Sequence, residues 1–254
     1  MRPAALALAL GLAVVLTAGP AWGQGRPNWR TAFDNHQAPG GCAEVQELLE
    51  FELKAPTSRA LLAAGRFSQW GHCLERNPEH AWTYYERAYA AGATVAALHL
   101  AGLASTRTGG ADVAAVLWWA RRIPEKKAAV IRNCDPFPDR DDVTEGEFLE
   151  ALRSWPQERL LRCRNDVGYR ALVVGEMDYP LSSRGLPPTG AVVLRYDLHR
   201  ATVAVVPAAS ENESDGRTPE LIGYVKGVAQ RTIDEMPPSP MPQEGEIAFS
   251  FVLR

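Results

Sequence analysis

Residues 191–206 read AVVLRYDLHRATVAVV: two apolar-rich runs, Ala191 to Leu198 and Thr202 to Val206, joined by His199-Arg200-Ala201. β-Branched and aromatic side chains alternating in short runs about a brief joint predict two adjacent strands. A polar loop follows from Ala208 to Arg217. Thr218-Pro219 then offers a cap with proline at the first turn of a helix. Leu221, Tyr224, Val225, Val228 and Ile233 recur on one face of that helix. Proline-rich Pro237-Pro238-Ser239-Pro240-Met241-Pro242 leads to a closing strand, Glu246 to Leu253, reading EIAFSFVL. Strand, strand, helix, strand is most simply a small antiparallel sheet with one face covered by the helix. Alternation along the closing strand puts Ile247, Phe249, Phe251 and Leu253 toward that helix, and Ala248, Ser250 and Val252 away from it.

Upstream the pattern is helical. Ala43 to Lys54 carries Val45, Leu48, Leu49 and Leu53 at helical spacing and stops before Pro56. Leu61 to Leu74, Glu79 to Ala91, Val95 to Ala104 and Asp112 to Arg122 predict four more helices, with Gly92 and Gly109-Gly110 marking tight turns. Thr144-x-x-Glu147 before Phe148, Leu149 and Leu152 is a capping-box signature. It opens a helical stretch from Glu145 to Arg164 that Pro156 kinks or divides. Composition changes near Gly168: nine of the 19 prolines lie from Pro180 onward, which separates a helical unit (43–167) from a strand-rich one (168–254). The fold class expected is therefore α+β, with helical hairpins first and a ββαβ unit second.

The helical unit contains a repeat. Ala81-x-x-Tyr84-Tyr85 and Ala115-x-x-Trp118-Trp119 share one pattern offset by 34 residues, the period of tetratricopeptide helix pairs. Ala88, Ala91, Ala97, Ala101 and Gly102 are small enough for close helix approach. Residues 82–103, followed by ADVAAVLWWARR, resemble Sel-type repeats, and Thr108-Gly109-Gly110 matches the family's glycine-bearing loop. Arg122 stands where the first copy has Ala88, which ends the array there. So short an array needs capping.

The second unit resembles the C-terminal domain of TonB-type energy transducers over roughly residues 177–254. The matching features are Tyr179-Pro180, Arg184-Gly185, Gly190 opening the strand Val192–Leu198, the strand Val203–Val206, Ser210 in the loop, the helix to Ile233, Pro237-Pro238, and Ile247-x-Phe249-x-Phe251-x-Leu253. His199-Arg200-Ala201 replaces the family's Asp-Gly turn, and the loop from Ser210 to Asp215 is acidic. Where that family keeps an uncleaved membrane helix and a long proline-rich spacer, the pattern here predicts a short cleavable leader and a compact helical module. The resemblance implies that Ile247, Ala248, Phe249, Ser250, Phe251, Val252 and Leu253 form an edge strand accepting an extended peptide. Its partner would be an envelope protein such as a TonB-dependent outer-membrane receptor, in a role linked to transmembrane transport.

Compartment signals agree with that. Arg2 precedes an uncharged apolar run from Ala4 to Ala18, a Gly19-Pro20 break, and small residues Ala21 and Gly23 at peptidase positions. This predicts a secretory leader over residues 1–23, a loosely held lead-in over 24–42, and a periplasmic protein without a stable membrane span. Cys42, Cys73, Cys134 and Cys163 form no CxxC pair. An even count in an exported chain favours disulfides, with three connectivities open. Pairing sequence neighbours would staple two helical stretches and is preferred; four buried thiols are the alternative.

A formal charge of −3 without any Lys/Arg run argues against nucleic-acid binding. The five histidines, His36, His72, His80, His99 and His199, are scattered and match no HExxH, and no GxSxG or P-loop occurs. Asp135 to Asp142 is acidic but lacks EF-hand spacing. Trp118-Trp119 reads as core rather than a stacking platform. No cofactor, metal or catalytic residue is expected, and the chain reads as a non-enzyme. Two other expectations stand beside peptide addition: an envelope scaffold binding through the helical groove, and an unrecognised periplasmic hydrolase.

Overall fold

The computed structural model of the chain describes residues 41–106, 113–124, 134, 142–177, 190–208 and 218–251. The expected leader, nearly all of the lead-in, Thr108-Gly109-Gly110, most of the acidic stretch from Asp135, Tyr179, Pro180, Arg184, Gly185, Ser210, Val252 and Leu253 lie outside the described residues. Within them the chain is α+β: seven helices, a two-stranded hairpin, an eighth helix and a closing strand.

The helices are α1 (Gly41–Glu52), α2 (Ser58–Trp70), α3 (Pro78–Ala90), α4 (Ala96–Thr106), α5 (Val113–Ala120), α6 (Glu145–Arg153), α7 (Gln157–Met177) and α8 (Thr218–Asp234). Local chemistry fixes several ends. Thr57 and Asn77 accept from the backbone N–H of Ala60 and His80 and so start α2 and α3, with Pro78 in the first turn of α3. Gly71, at φ +72°, closes α2 by donating to the Phe67 carbonyl. Thr144 and Glu147 form both bonds of the capping box at α6. Pro156 divides the expected capping stretch: α6 ends at Arg153 and α7 starts at Gln157.

The second of these helices runs on through 168, so the sequence boundary at 167/168 falls inside α7. Its two sides serve two cores. Cys163, Val167, Ala171 and Val174 pack with Leu98, Ala101, Val116, Leu117 and Phe148 of the helical array. Tyr169, Leu172, Val173 and Met177 pack with the sheet and α8. Close approach to α4 explains the glycines: a Cβ on Gly168 would collide with the Ser105 side chain, and one on Gly102 with Leu172. Array and sheet are thus joined through a shared helix.

The strands are β1 (Gly190–Asp197), β2 (Thr202–Pro207) and β3 (Glu244–Phe251), antiparallel in the order β2-β1-β3. Val193 pairs with Val206 on one side of β1, and Leu194 with Ile247 on the other. Val192, Leu194, Tyr196 and Ile247 are buried against α7 and α8, while Ala204, Ala248 and Ser250 on the opposite face are exposed. The sheet therefore has one dry face and one open face, the usual antiparallel solution.

Both disulfides join sequence neighbours. Cys42–Cys73 ties α1 to the turn after α2, and Cys134–Cys163 ties residue 134 to α7, with Cα separations of 4.8 and 5.6 Å. Such bonds persist in oxidising, exported compartments. No helix among the described residues is long and apolar enough to cross a membrane.

Candidate functional site: the free edge of the closing strand

Two bonds at the sheet margins set the phase of its ladders. Leu198 N–H donates to the Gln243 carbonyl at 2.9 Å, and Ala208 N–H to the Ala191 carbonyl at 3.0 Å. Hydrogen-bonded and non-bonded pairs alternate along antiparallel strands. Continuing that phase through the register, Ile247, Phe249 and Phe251 turn their N–H and C=O groups toward β1. Glu246, Ala248 and Ser250 turn theirs outward, and no strand pairs with them among the described residues. On the far margin the outward residues of β2 are Val203, Val205 and Pro207. Pro207 has no N–H, and proline at an edge is a common guard against strand addition. The β3 edge carries no proline, so the two margins differ in their capacity to accept a partner.

The side chains of β3 follow the expected alternation. Ile247 is buried, Phe249 and Phe251 are half-buried on the helix side, and Glu246, Ala248 and Ser250 are exposed on the open face. The Phe249 and Phe251 rings lie 6.1 Å apart. Phe249 touches both the array core and the sheet core, so the edge strand rests on the junction between the two units.

The start of β3 is held firmly. Gln243 donates from Nε2 to the Arg162 carbonyl of α7 at 2.7 Å. Ser239 N–H donates to the Leu198 carbonyl at 3.0 Å, and His199 Nδ1 lies 2.9 Å from the Ser239 carbonyl. The proline-rich segment is thereby laid against the β1–β2 turn. That turn uses Asp197, whose carboxylate accepts from the N–H of His199 and Arg200 at 2.9 and 3.1 Å. The Arg200 backbone bond, helped by the one from His199, lowers the Asp197 pKa below its usual value. The turn also takes one αL residue, which Ala201 supplies at φ +51°.

A polar joint beside the site gives little warning in the sequence. The Tyr196 hydroxyl donates to Asp166, whose other oxygen accepts from Arg170 Nε at 2.9 Å. Burial, then the Asp166 charge, raises the Tyr196 pKa well above the normal phenol range. Gly245 makes this reach possible, because a Cβ there would enter the Tyr196 ring. The sequence pattern starts the closing strand at Glu246, whereas β3 begins at Glu244, so Gly245 stood outside the expected strand and no local signal marked this contact.

Gly190 opens β1 at φ +138°. His99 is buried and stacks on Tyr85 at 4.7 Å, and the Tyr85 hydroxyl donates to Gln69 at 2.8 Å. Trp119 meets Trp82 and Tyr89 edge-on, while Trp118 packs on Phe148 beneath the Arg122 guanidinium. Among the described residues no group of three His, Cys, Asp or Glu side chains is placed to hold a metal. No protein-family model, curated protein or solved structure matches this chain.

Proposed function

We propose that this protein is a non-catalytic interaction module of the periplasm that binds an extended segment of another envelope protein by adding it as a fourth strand along β3. The observation that carries this reading is the set of outward N–H and C=O groups on Glu246, Ala248 and Ser250, set against the proline-blocked margin at Pro207. Strand addition draws its affinity from such main-chain groups and its selectivity from alternate side chains. The likeness of the second unit to TonB C-terminal domains supports an outer-membrane receptor as the class of partner and a link to transport. Two disulfides support an exported setting.

The test is site-specific photocrosslinking from Ser250 in the cells that make the protein, with captured peptides identified by mass spectrometry. Crosslinks to one extended segment of an envelope protein are expected, and Ala248→Pro abolishes them by removing an outward donor. Crosslinks confined to the protein's own chain would overturn the reading.

A further inference from the structure

The side chains that flank the β3 edge restrict what kind of segment it accepts. We infer that the accepted segment alternates, with β-branched or other aliphatic residues on the helix side and a basic residue on the open face opposite Glu246. This inference rests on the strand-addition reading and adds the chemistry of the partner to it.

The helix side supplies the first half of the argument. Phe249 and Phe251 are half-buried on the helix side, so residues of an added strand that lie opposite them would share that face. Side chains directly opposite in a sheet come within about 5 Å of one another, and aromatic–β-branched pairs are among the favourable ones. Phe249 already rests on the array core. An aliphatic neighbour would extend that apolar surface, whereas a charged one would be desolvated beside it without a partner.

The open face supplies the second half. Its outward row along β3 reads Glu246, Ala248, Ser250, with Glu244 preceding, so every charge in the row is negative and sits at the strand's N-terminal end. Arg195 lies 3.6 Å from Glu246, but both side chains are more than 60% exposed (63 and 66%), and such a pair holds its members weakly. Glu246 is therefore available to a basic residue arriving on its other flank. An acidic residue there would face a like charge directly across the ladder, which is destabilising. Ala248 and Ser250 carry no charge and discriminate little. The pattern holds for a parallel or an antiparallel segment, because opposite residues share a face in both.

Three capped peptides test this on the full exported chain with its disulfides intact: Lys-Val-Lys-Val-Lys, Glu-Val-Glu-Val-Glu, and the blocked arrangement Lys-Lys-Lys-Val-Val. Binding is read from backbone amide shifts. The alternating lysine peptide is expected to move the amides of Ala248 and Ser250 and to bind on the order of tenfold more tightly than the glutamate peptide. Glu246→Lys reverses that order, and the blocked peptide leaves those amides unmoved. Equal affinity for the two alternating peptides in both proteins, equal binding of the blocked peptide, or no binding by either alternating peptide would each overturn the inference. Strand addition itself fails differently: there, Ala248→Pro leaves peptide binding unchanged, or the Ser250 crosslinks in cells stay within the chain. A crosslinked partner segment that places an acidic residue opposite Glu246 would refute the charge pattern while leaving strand addition standing.

Discussion

The hydroxyl of Tyr196 on β1 donates to the carboxylate of Asp166 on α7, and this bond fastens the sheet to the helix it shares with the array. The bond crosses β3 at the one residue without a side chain, Gly245, so the position of the edge strand depends on it.

Two substitutions probe that joint. Tyr196→Phe leaves a buried carboxylate short of one donor and lowers stability by about 1–3 kcal/mol. Gly245→Ala drives a methyl group into the Tyr196 ring and costs about the same through overpacking. Urea unfolding of both variants is the check, and midpoints unchanged from the parent would contradict the joint.

Alkaline stability depends on two phenols. Burial raises the pKa of Tyr169, and burial together with the Asp166 charge raises that of Tyr196. A group whose folded pKa lies above its unfolded value stabilises fully below the unfolded value, about 10 for tyrosine, and loses that contribution as pH climbs beyond it. Of the seven tyrosines, these two are expected to stay un-ionised until the chain unfolds. Phenolate absorbance followed together with circular dichroism measures this. Reversible ionisation of all tyrosines near pH 10 in a folded chain would contradict it.

Much of this organisation was legible in the sequence, and the failures have physical causes. Alternation along EIAFSFVL located β3 and its faces because a half-buried strand imposes period two. Thr144 and Glu147 marked the start of α6 because capping is a local interaction. Gly168 misled, since a glycine beside a change in composition reads as a boundary. Here it sits within α7, where Ser105 leaves no room for a side chain. That constraint comes from a residue far away in sequence, and no local pattern carries it. The Tyr196–Asp166 bond was hidden for the same reason. The outward phase of Glu246, Ala248 and Ser250 also needed the ladder register, which periodicity alone leaves open.

The disulfides are expected to stabilise the array separately. Cys42–Cys73 and Cys134–Cys163 close loops with sequence separations of 31 and 29 residues. The chain-entropy model gives about 3–4 kcal/mol for loops of that size. Replacing Cys42 and Cys73 together by alanine should cost about 2–4 kcal/mol and free α1, whose Val45, Leu48 and Leu49 cover Ala60, Ala63 and Phe67. Limited proteolysis would then cut first within α1. Unchanged stability together with an uncut α1 would show that packing alone holds that helix.

The central claim is that β3 offers an open edge, and residue-resolved amide hydrogen exchange on the free protein tests it most directly. Amides turned toward β1, those of Ile247 and Phe249, should exchange slowly, while those of Glu246, Ala248 and Ser250 exchange fast, giving an alternating pattern along one strand. Equal, strong protection of all five in the free protein would mean that the edge is already covered, and would contradict the account.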